Sequence, residues 1–396
     1  MNFALTRRQF MLPIGVVYMD GNSLGPLPKA VPDRLTECVT DEWGELLIRG
    51  WNEAGWMAQP NKLGDRIAPI IGAAPGTVTV GDTLSHRVYQ ALYAALKLNP
   101  ERRVVLTDSG NFPSDLYMAD GLLKAMGGDY ELRVVEPEQV SASITDEVAV
   151  LMLTEVDFRT GRLHDMARLT SAAHRNGVVT VWDLAHSAGA IEVQVADAKA
   201  DFAVGCTYKY LNGGPGAPAF IYVRSDLIEL AVPVLQGWLG HASAFDFTTD
   251  YKPAAGIDRM RVGTPAILGM AALDAALDVW DGISISDVRA ASIRMSELFI
   301  GEVERRCPQV ELASPRDPNH RGSQVSFLCD NGYPVMQALI ERGVIGDFRA
   351  PNGMRFGFTP LYLRDEDVMA AVDILDDILR NRLWDEPRFH QRAHVT

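Results

Sequence analysis

The feature that most constrains the fold is a series of short apolar runs, rich in β-branched residues, that alternate with amphipathic stretches. The runs at 103–107, 148–153 and 178–182 are almost continuously apolar. Continuous hydrophobicity is typical of strands buried on both faces, as in a parallel sheet covered by helices. The sequence therefore predicts an α/β fold with a mainly parallel central sheet.

The same alternation extends on both sides of these runs. A helix is predicted over 165–176, because its apolar residues share one face and Asn176-Gly177 supplies a C-terminal stop. Further strands are predicted over 201–205 and 219–223. We therefore assign residues 51–262 to one large α/β domain.

Beyond residue 263 the pattern changes to long helices and short strands. Helices are predicted at 267–280 and 286–306, and strands at 324–328 and 354–358. A closing helix carries a core-facing stripe formed by Val368, Ala371, Val372, Leu375, Ile378 and Leu379. We assign 263–396 to a smaller α+β C-terminal domain, and 1–50 to an N-terminal arm and a segment that joins the small domain.

Composition and charge exclude several kinds of function. The 396 residues include 37 Lys and Arg against 51 Asp and Glu, a net charge of −14, so a nucleic-acid partner is not expected. No apolar run reaches the roughly 18 residues of a membrane span, so no membrane partner is expected. The widely spaced Cys38, Cys206, Cys307 and Cys329 form no CxxC pair, which disfavours a zinc ribbon and favours a reducing, cytoplasmic compartment.

The segment 6–11 contains Arg7-Arg8 and has the shape of a twin-arginine export signal. Such a signal needs an apolar stretch behind it, and here Pro13 and Asp20 interrupt that stretch early. We therefore expect a solvated N-terminal arm instead.

Two side chains suited to cofactor chemistry follow neighbouring apolar strands. Asp183 follows the run at 178–182, and Lys209 follows the run at 201–205, just before a Gly-rich loop. Carboxyl ends of parallel strands meet at the edge where open α/β sheets bind ligands. A pyridoxal phosphate (PLP) enzyme needs this pair, because the Lys bonds to the cofactor's aldehyde carbon and the Asp pairs with its ring nitrogen.

Each half of this pair is weak evidence alone. A strand-end Asp often only caps a turn, and a Lys before a Gly-rich loop is often a solvated surface residue. A nucleotide site is disfavoured, because no GxxxxGK[ST] or GxGxxG motif stands behind a strand. The two residues together, in this order, favour PLP.

Motifs spread over nearly the whole chain resemble those of kynureninase, a family of fold-type I PLP enzymes. Phe-Pro-Ser-Asp at 112–115 and Gly-Trp-Leu-Gly-His at 237–241 are specific to this family rather than to fold type I generally. The full set of matching stretches is 18–25, 111–117, 183–186, 208–212, 236–241, 342–349 and 355–362. The resemblance implies a fold-type I PLP-dependent transferase-like fold with a large and a small domain.

The resemblance also implies roles for individual residues. The implied catalytic residues are Lys209, Tyr208 and Asp183. The implied cofactor-binding residues are Leu84, Ser85, Phe112, Pro113, Ser114, Asp115, Thr154, Asp183, His186, Tyr208, Lys209, Trp238 and Thr264. The implied substrate-binding residues are Arg355, Asn22, Ser23 and Trp51, the last three from either subunit of a homodimer. No metal is implied.

Several of these roles have a physical rationale. Leu84 and Ser85 match a phosphate-binding turn just before a helix, whose N-terminal amides favour an anion. Phe112 is expected over the cofactor ring. The planar guanidinium of Arg355 suits the substrate α-carboxylate. Thr264, where animal members of the family carry Asn, argues for kynurenine over its 3-hydroxy form.

The implied reaction is hydrolysis of L-kynurenine, a small amino-acid substrate, to anthranilate and L-alanine by cleavage of the Cβ–Cγ bond, in tryptophan catabolism through the kynurenine pathway. Use of 3-hydroxykynurenine stays open. The alternatives are another fold-type I PLP enzyme, such as a cysteine desulfurase or an aminotransferase, and a catalytically silent cofactor-binding protein.

Overall fold

The predicted apolar runs form the central sheet of the computed structural model, which describes residues 3–392. Its strands, in chain order, are β1 Val17–Tyr18, β2 Val78–Val80, β3 Val104–Asp108, β4 Glu131–Val135, β5 Val148–Thr154, β6 Val179–Asp183, β7 Phe202–Gly205, β8 Phe220–Val223, β9 Glu311–Leu312, β10 Gln324–Leu328, β11 Val344–Ile345, β12 Asp347–Arg349 and β13 Gly353–Gly357. The runs predicted as strands in the large domain are all present, to within a residue or two.

The α-helices are α1 Ala4–Arg7, α2 Ala30–Glu37, α3 Gly50–Glu53, α4 Gln59–Ile67, α5 Leu84–Leu98, α6 Pro113–Met126, α7 Val140–Ser143, α8 Met166–Arg175, α9 Ile267–Leu277, α10 Ile285–Arg306, α11 Gly332–Glu341 and α12 Asp365–Arg380. Helix α8 begins and ends within a residue of the prediction: the Asp165 side chain caps its start by accepting the amide of Arg168, the third residue of the helix, and Asn176-Gly177 follows its end. No helix within residues 3–392 is long and apolar enough to cross a membrane.

The large sheet has seven strands in the order β2-β8-β7-β6-β5-β3-β4. Strands β3 to β7 run parallel, and β8 is antiparallel to both of its neighbours. Alternate residues of β6 enter different cores: Val181 packs with α5 on one face, and Trp182 packs with α8 on the other. Burial on both faces explains why the runs are continuously apolar.

A second, antiparallel sheet has the order β12-β13-β10-β9 and packs with the C-terminal helices. The six stripe residues of α12 are all buried, as predicted from their spacing. The fold is thus a large, mainly parallel α/β sheet joined to a smaller α+β unit, as expected. The domain boundaries 1–50, 51–262 and 263–396 stay a prediction.

The N-terminal segment is not the solvated arm that we expected. Thr6 is buried and donates its hydroxyl to the carbonyl of Leu361 at 2.8 Å, and Arg7 pairs with Asp367 at 2.6 Å. Strand β1 also pairs in parallel with β11. The prediction was wrong because these partners lie more than three hundred residues away in sequence, where local polarity gives no sign of them.

One edge strand and one irregular helix were also not predicted from the sequence. Residues Cys38–Leu46 form a π-helix of nine residues. Strand β4 has exposed and partly exposed residues and lies at the sheet edge, so it lacks the apolar run that marks its neighbours.

A buried carboxylate ties together the amino ends of β6 and β7 and the carboxyl end of the antiparallel strand β8. Asp201 accepts from the amide and the hydroxyl of Thr180 at 2.7 and 2.9 Å, and its other partners are His174 at 2.9 Å and Arg224 at 2.6 Å. Because Asp201 is buried, these bonds replace its hydration. The network lies at the end of the sheet opposite to the end of β6 occupied by Asp183.

We expect Asp201→Ala to lower the free energy of unfolding by about 3 kcal/mol, because it leaves a buried Thr180 amide and the Arg224 guanidinium without their carboxylate. Urea unfolding followed by circular dichroism measures this loss. The matched control is Asp226→Ala, which removes an exposed carboxylate from the same Arg224 and should change the free energy by less than about 1 kcal/mol. Equal effects of the two substitutions would contradict the prediction.

Candidate active site

The carboxyl ends of three parallel strands bring the predicted site residues together. Thr154 ends β5 and Asp183 ends β6, and the two are paired in register across the sheet. Lys209 lies four residues beyond the end of β7. Because each strand stops at the same edge, side chains far apart in sequence become neighbours there.

These residues line a cavity of about 140 Å³. Its walls are formed by Asn22, Ser23, Leu84, Phe112, Thr154, Phe158, Asp183, Ala185, His186, Tyr208, Lys209, Arg349 and Arg355. Both main catalytic candidates, Lys209 and Asp183, face this cavity together with the candidate substrate ligand Arg355. This arrangement supports the prediction that the three residues share one site.

The base of the cavity contains an amine, an imidazole and a carboxylate. The Nζ of Lys209 lies 2.9 Å from the Nε2 of His186. One oxygen of Asp183 accepts the amide of Ala185 at 2.9 Å, which orients the carboxylate. Tyr208 places its ring 5.8 Å from the Lys209 amine.

Burial dominates the electrostatics of this group. It raises the pKa of Asp183 to about 6, and the nearby Lys209 ammonium limits that rise. Burial also lowers the pKa of Lys209 and lowers that of His186 well below its usual range, so His186 is neutral. Asp115 is buried beside Asp183 and its pKa is raised well above the ordinary value, first by burial and then by the neighbouring carboxylate.

Two helices begin at the cavity and direct hydroxyl groups toward one another. Ser85 is the second residue of α5 and Ser114 the second of α6, and their oxygens are 3.0 Å apart. Thr83 caps α5 by accepting from the amide of His86, so the helix start is well defined. Two N-termini with adjacent serine hydroxyls form a site suited to an anion.

Phe112 immediately precedes α6, and its ring is 41% exposed at the cavity. The Asn111 side chain accepts the Phe112 amide at 2.8 Å and so fixes the turn. Pro113 then starts the helix at a position where no amide donor is needed. The edge of Phe112 packs on Phe158, with ring centroids 5.0 Å apart.

Arg355 is held on β13 in a fully buried position. Its guanidinium donates to the carbonyl of Phe158 at 2.6 Å and to the hydroxyl of Ser23 at 2.8 Å, and it pairs with Asp347. The Nε of Arg355 has no hydrogen-bond partner among the described residues. A carboxylate in the cavity would supply that missing acceptor.

The N-terminal segment contributes Asn22 and Ser23 to the cavity of its own chain. It lies directly on the backbone next to Lys209, where the Gly25 amide donates to the carbonyl of Tyr208 at 2.8 Å. A Cβ at Gly25 would come within 2.3 Å of the Lys209 carbonyl, so this close approach requires glycine.

Seven predicted residues do not line this cavity: Ser85, Pro113, Ser114 and Asp115, which lie in the first turns of α5 and α6, and Trp51, Trp238 and Thr264. Trp51 and Trp238 pack edge to face on each other at 6.4 Å, and Trp238 extends the group to the exposed Phe245. Thr264 is exposed. The roles of Trp51, Trp238 and Thr264 stay predictions.

Sequence reasoning missed Phe158, Asp347 and Arg349. Arg349 lines the cavity and pairs with Asp347 at 2.7 Å. Both residues lie in the stretch 342–349, which resembles the family, so a closer reading of its charged positions would have found them. Phe158 carried no such signal, because its position depends on a turn formed by backbone contacts.

The donor set of the cavity fits PLP. A lysine amine can bond to the aldehyde, a buried carboxylate can pair with the ring nitrogen, an exposed aromatic face can cover the ring, and two helix N-termini can bind the phosphate. Several polar atoms in and beside the cavity have no hydrogen-bond partner within the described chain. They are the Oδ2 of Asp115, the Nδ1 of His186 and both side-chain polar atoms of Asn22. Among residues 3–392, no group of three or more His, Cys, Asp or Glu side chains is arranged to hold a metal ion.

Solved structures with the same fold are PLP enzymes and related proteins. A cysteine desulfurase from Escherichia coli superposes with a TM-score of 0.79 at 21% identity, covering 96% of this chain and 99% of its own. A variant of C-DES with glycine linked to its PLP cofactor gives a TM-score of 0.80 at 18% identity, covering 94% and 99%. At these identities the likeness shows the fold alone.

Sequence relatives are much closer. Kynureninase from Burkholderia pseudomallei strain 1106a is 47% identical over 98% of this chain and 95% of its own length. Kynureninase from Pseudomonas fluorescens is 46% identical over 100% of this chain and 97% of its own length. Residues 288–375 match the model of the kynureninase C-terminal domain. The chain therefore belongs to the kynureninase family.

Proposed function

We propose that this protein hydrolyses L-kynurenine to anthranilate and L-alanine with PLP as cofactor, in tryptophan catabolism. The observation that carries the proposal is the convergence of Lys209, Asp183 and Arg355 on one cavity in a chain related over its full length to kynureninases. Together they provide a covalent anchor, a partner for the ring nitrogen and a cationic ligand for the amino-acid carboxylate.

When bound, PLP withdraws electrons from the substrate's α-carbon and so makes cleavage of the Cβ–Cγ bond feasible. Asp183 holds a proton at the ring nitrogen. The Nζ of Lys209, whose pKa is lowered by burial, accepts the proton from Cα. The Tyr208 hydroxyl, whose pKa is raised by burial, donates a proton at the oxygen of the γ-carbonyl as water adds.

Substrate orientation depends on Arg355. Its Nε has no partner in the described chain, while Nη1 and Nη2 are held by Phe158 and by Ser23 and Asp347. The guanidinium is therefore fixed in one plane before substrate arrives. Preorganisation of this kind lowers the entropy lost on binding.

The paired starts of α5 and α6 would hold the other end of the cofactor. Ser85 and Ser114 provide hydroxyls 3.0 Å apart in the first turns of the two helices, where free backbone amides favour an anion. Phe112, which lines the cavity, would cover the cofactor ring. Leu84, Thr154 and His186 complete the enclosure.

A cysteine desulfurase activity is disfavoured by the four cysteines. All are free and buried, and burial raises the pKa of each thiol, to about 11 for Cys38 and Cys307. A desulfurase needs an accessible nucleophilic thiolate. A catalytically silent role is disfavoured because the lysine, the carboxylate and the arginine are all retained.

We also propose that the protein is a cytoplasmic homodimer that prefers kynurenine to 3-hydroxykynurenine. The buried free thiols support a reducing compartment. An exposed aromatic group containing Trp238, Phe245 and Phe247 supports association, because Phe245 and Phe247 are 64% and 81% exposed. Trp51 and Thr264 would then reach the substrate pocket of the partner subunit.

Lys209→Ala should abolish anthranilate release from L-kynurenine, because no other amine lines the cavity. It should also abolish the covalent bond to PLP that borohydride traps, which mass spectrometry measures. The matched control is Lys124→Ala, an exposed lysine that should leave both unchanged. Retention of trapping and turnover in Lys209→Ala would contradict the proposed function.

Arg355→Met should raise KM for L-kynurenine and lower kcat/KM by about a hundredfold or more, because the buried charge-assisted contact to the carboxylate is lost. Steady-state kinetics with L-kynurenine measures this. The exposed Arg168→Met serves as the control and should leave kcat/KM unchanged. Unchanged kinetics in Arg355→Met would show that the carboxylate binds elsewhere.

Affinity of the cofactor-free protein for PLP should depend on the ionisation of Asp183. Below about 6 its carboxyl is protonated and no longer pairs with the ring nitrogen as an anion, so the affinity advantage of the wild type over Asp183→Asn should shrink as the pH falls. Fluorescence titrations of both proteins from about pH 8 to about pH 5 measure this difference and cancel the titration of the phosphate, which both share. A constant difference across the range would contradict the role of Asp183.

A further inference from the structure

Two guanidiniums share one carboxylate beside the cavity. Asp347 and Arg349 are two residues apart on β12, so their side chains lie on the same face of the small sheet. Arg355 is paired directly opposite Asp347 on β13. The Oδ2 atom of Asp347 contacts the Nη2 atoms of both arginines, at 2.7 Å in the case of Arg349. The two guanidiniums are therefore neighbours, and both residues line the cavity.

The shared carboxylate oxygen is also held by Ser23. The Ser23 hydroxyl donates to Oδ2 of Asp347 at 3.1 Å and accepts from Nη2 of Arg355 at 2.8 Å. Asp347 is buried, so these contacts are sheltered from water. The spacing between Arg349 and Arg355 is therefore set before a ligand binds.

The carboxylates of this group do not balance its guanidiniums. Asp347 and Asp20 are the acidic groups that act on Arg355, and Arg349 is the other cation. Burial, followed by the charge of Asp347, raises the pKa of Asp20 to about 7, so Asp20 is only partly ionised at neutral pH. The pair of arginines thus keeps an excess of positive charge, which suits an anionic ligand.

Each arginine also has one donor without a partner. The Nε atoms of Arg349 and Arg355 are buried and make no hydrogen bond within residues 3–392. A buried N–H without an acceptor costs free energy, and a carboxylate has two oxygens that can each accept from a different guanidinium. One carboxylate could therefore satisfy both donors.

We propose that Arg349 is a second substrate-binding residue, which holds the α-carboxylate of the amino acid together with Arg355. Asp347 is then a positioning residue that keeps the two guanidiniums side by side. The proposal rests on the proposed function for the nature of the substrate, an α-amino acid.

Arg349 also serves as a counter-ion of Asp347, so the test must separate binding from structural support. It uses the PLP-loaded enzyme with Arg349→Met and compares two ligands. L-Alanine carries the α-amino and α-carboxylate groups of the substrate but has no Cβ–Cγ bond to cleave. Kynuramine is L-kynurenine without its carboxylate. The absorbance change of the bound cofactor measures the Kd of each ligand.

Arg349→Met should raise the Kd of L-alanine about tenfold, because one charge-assisted contact to the carboxylate is lost. The Kd of kynuramine should stay within about twofold of the wild-type value. With L-kynurenine as substrate, KM should rise about tenfold and kcat should change less than about threefold.

The matched control is Arg159→Met. Arg159 is an exposed arginine whose guanidinium lies over the ring of Phe158, 5.2 Å from its centroid, and it does not line the cavity. This variant removes a positive charge close to the cavity wall, so it measures the general electrostatic attraction of anions. We expect both Kd values to stay at the wild-type level.

Three outcomes would overturn the inference. An unchanged Kd for L-alanine in Arg349→Met would show that Arg349 does not hold the carboxylate. Equal weakening of L-alanine and kynuramine would show that Arg349 only supports the structure. Weakening of kynuramine alone would place Arg349 at the aromatic end of the substrate.

Arg349→Lys covers the case in which Arg349→Met does not fold. The lysine ammonium keeps a positive charge for Asp347 but lacks the planar guanidinium with its Nε donor. We expect the Kd of L-alanine to rise about threefold or more and that of kynuramine to stay unchanged, whereas wild-type affinity for L-alanine would contradict the inference. Neither ligand is cleaved at a Cβ–Cγ bond in these titrations, so an enzyme that releases no anthranilate would refute the proposed function without deciding this comparison.

Discussion

The chemistry proposed for this protein depends on placing a carboxylate and an amine together where water is scarce. At the shared edge of β6 and β7, Asp183 and Lys209 each make the other's charge tolerable in a buried setting. The sheet provides this proximity at little cost in chain entropy, because strands fixed by their cores bring their ends to one edge. Every other group in the cavity is arranged around that pair.

The second requirement is that two parts of the chain keep a fixed register. Carbonyls of five successive residues, 157–161, accept hydrogen bonds from side chains and one amide of the C-terminal part of the chain. Among the donors are Gln324, Ser326, Ser314 and Arg355. Because a turn with so many bonds has little freedom, the arginine expected to bind substrate is held at a set distance from the strands that hold the lysine.

The sequence was a good guide where signals are local or strongly patterned. Continuous apolar runs predicted the strands, the stripe on α12 predicted a buried face, and strand ends placed Asp183 beside Lys209. Phe158 and Gln324 could not be found in this way, because their contacts are made through the backbone carbonyls of residues 157 and 158, which come into position only after folding. The packing of Thr6 and Arg7 was missed for the same reason: their partners are distant in sequence.

The position of the Asp201 network has a consequence for how such an enzyme can change. Its bonds lie at the amino ends of β6 and β7 and at the carboxyl end of the antiparallel strand β8, whereas the cavity lies at the carboxyl ends of the parallel strands. Anchoring and chemistry thus occupy opposite edges of one sheet. Substitutions around the cavity can therefore change which substrate binds, while the Asp201 network still holds the strands together at the opposite edge of the sheet.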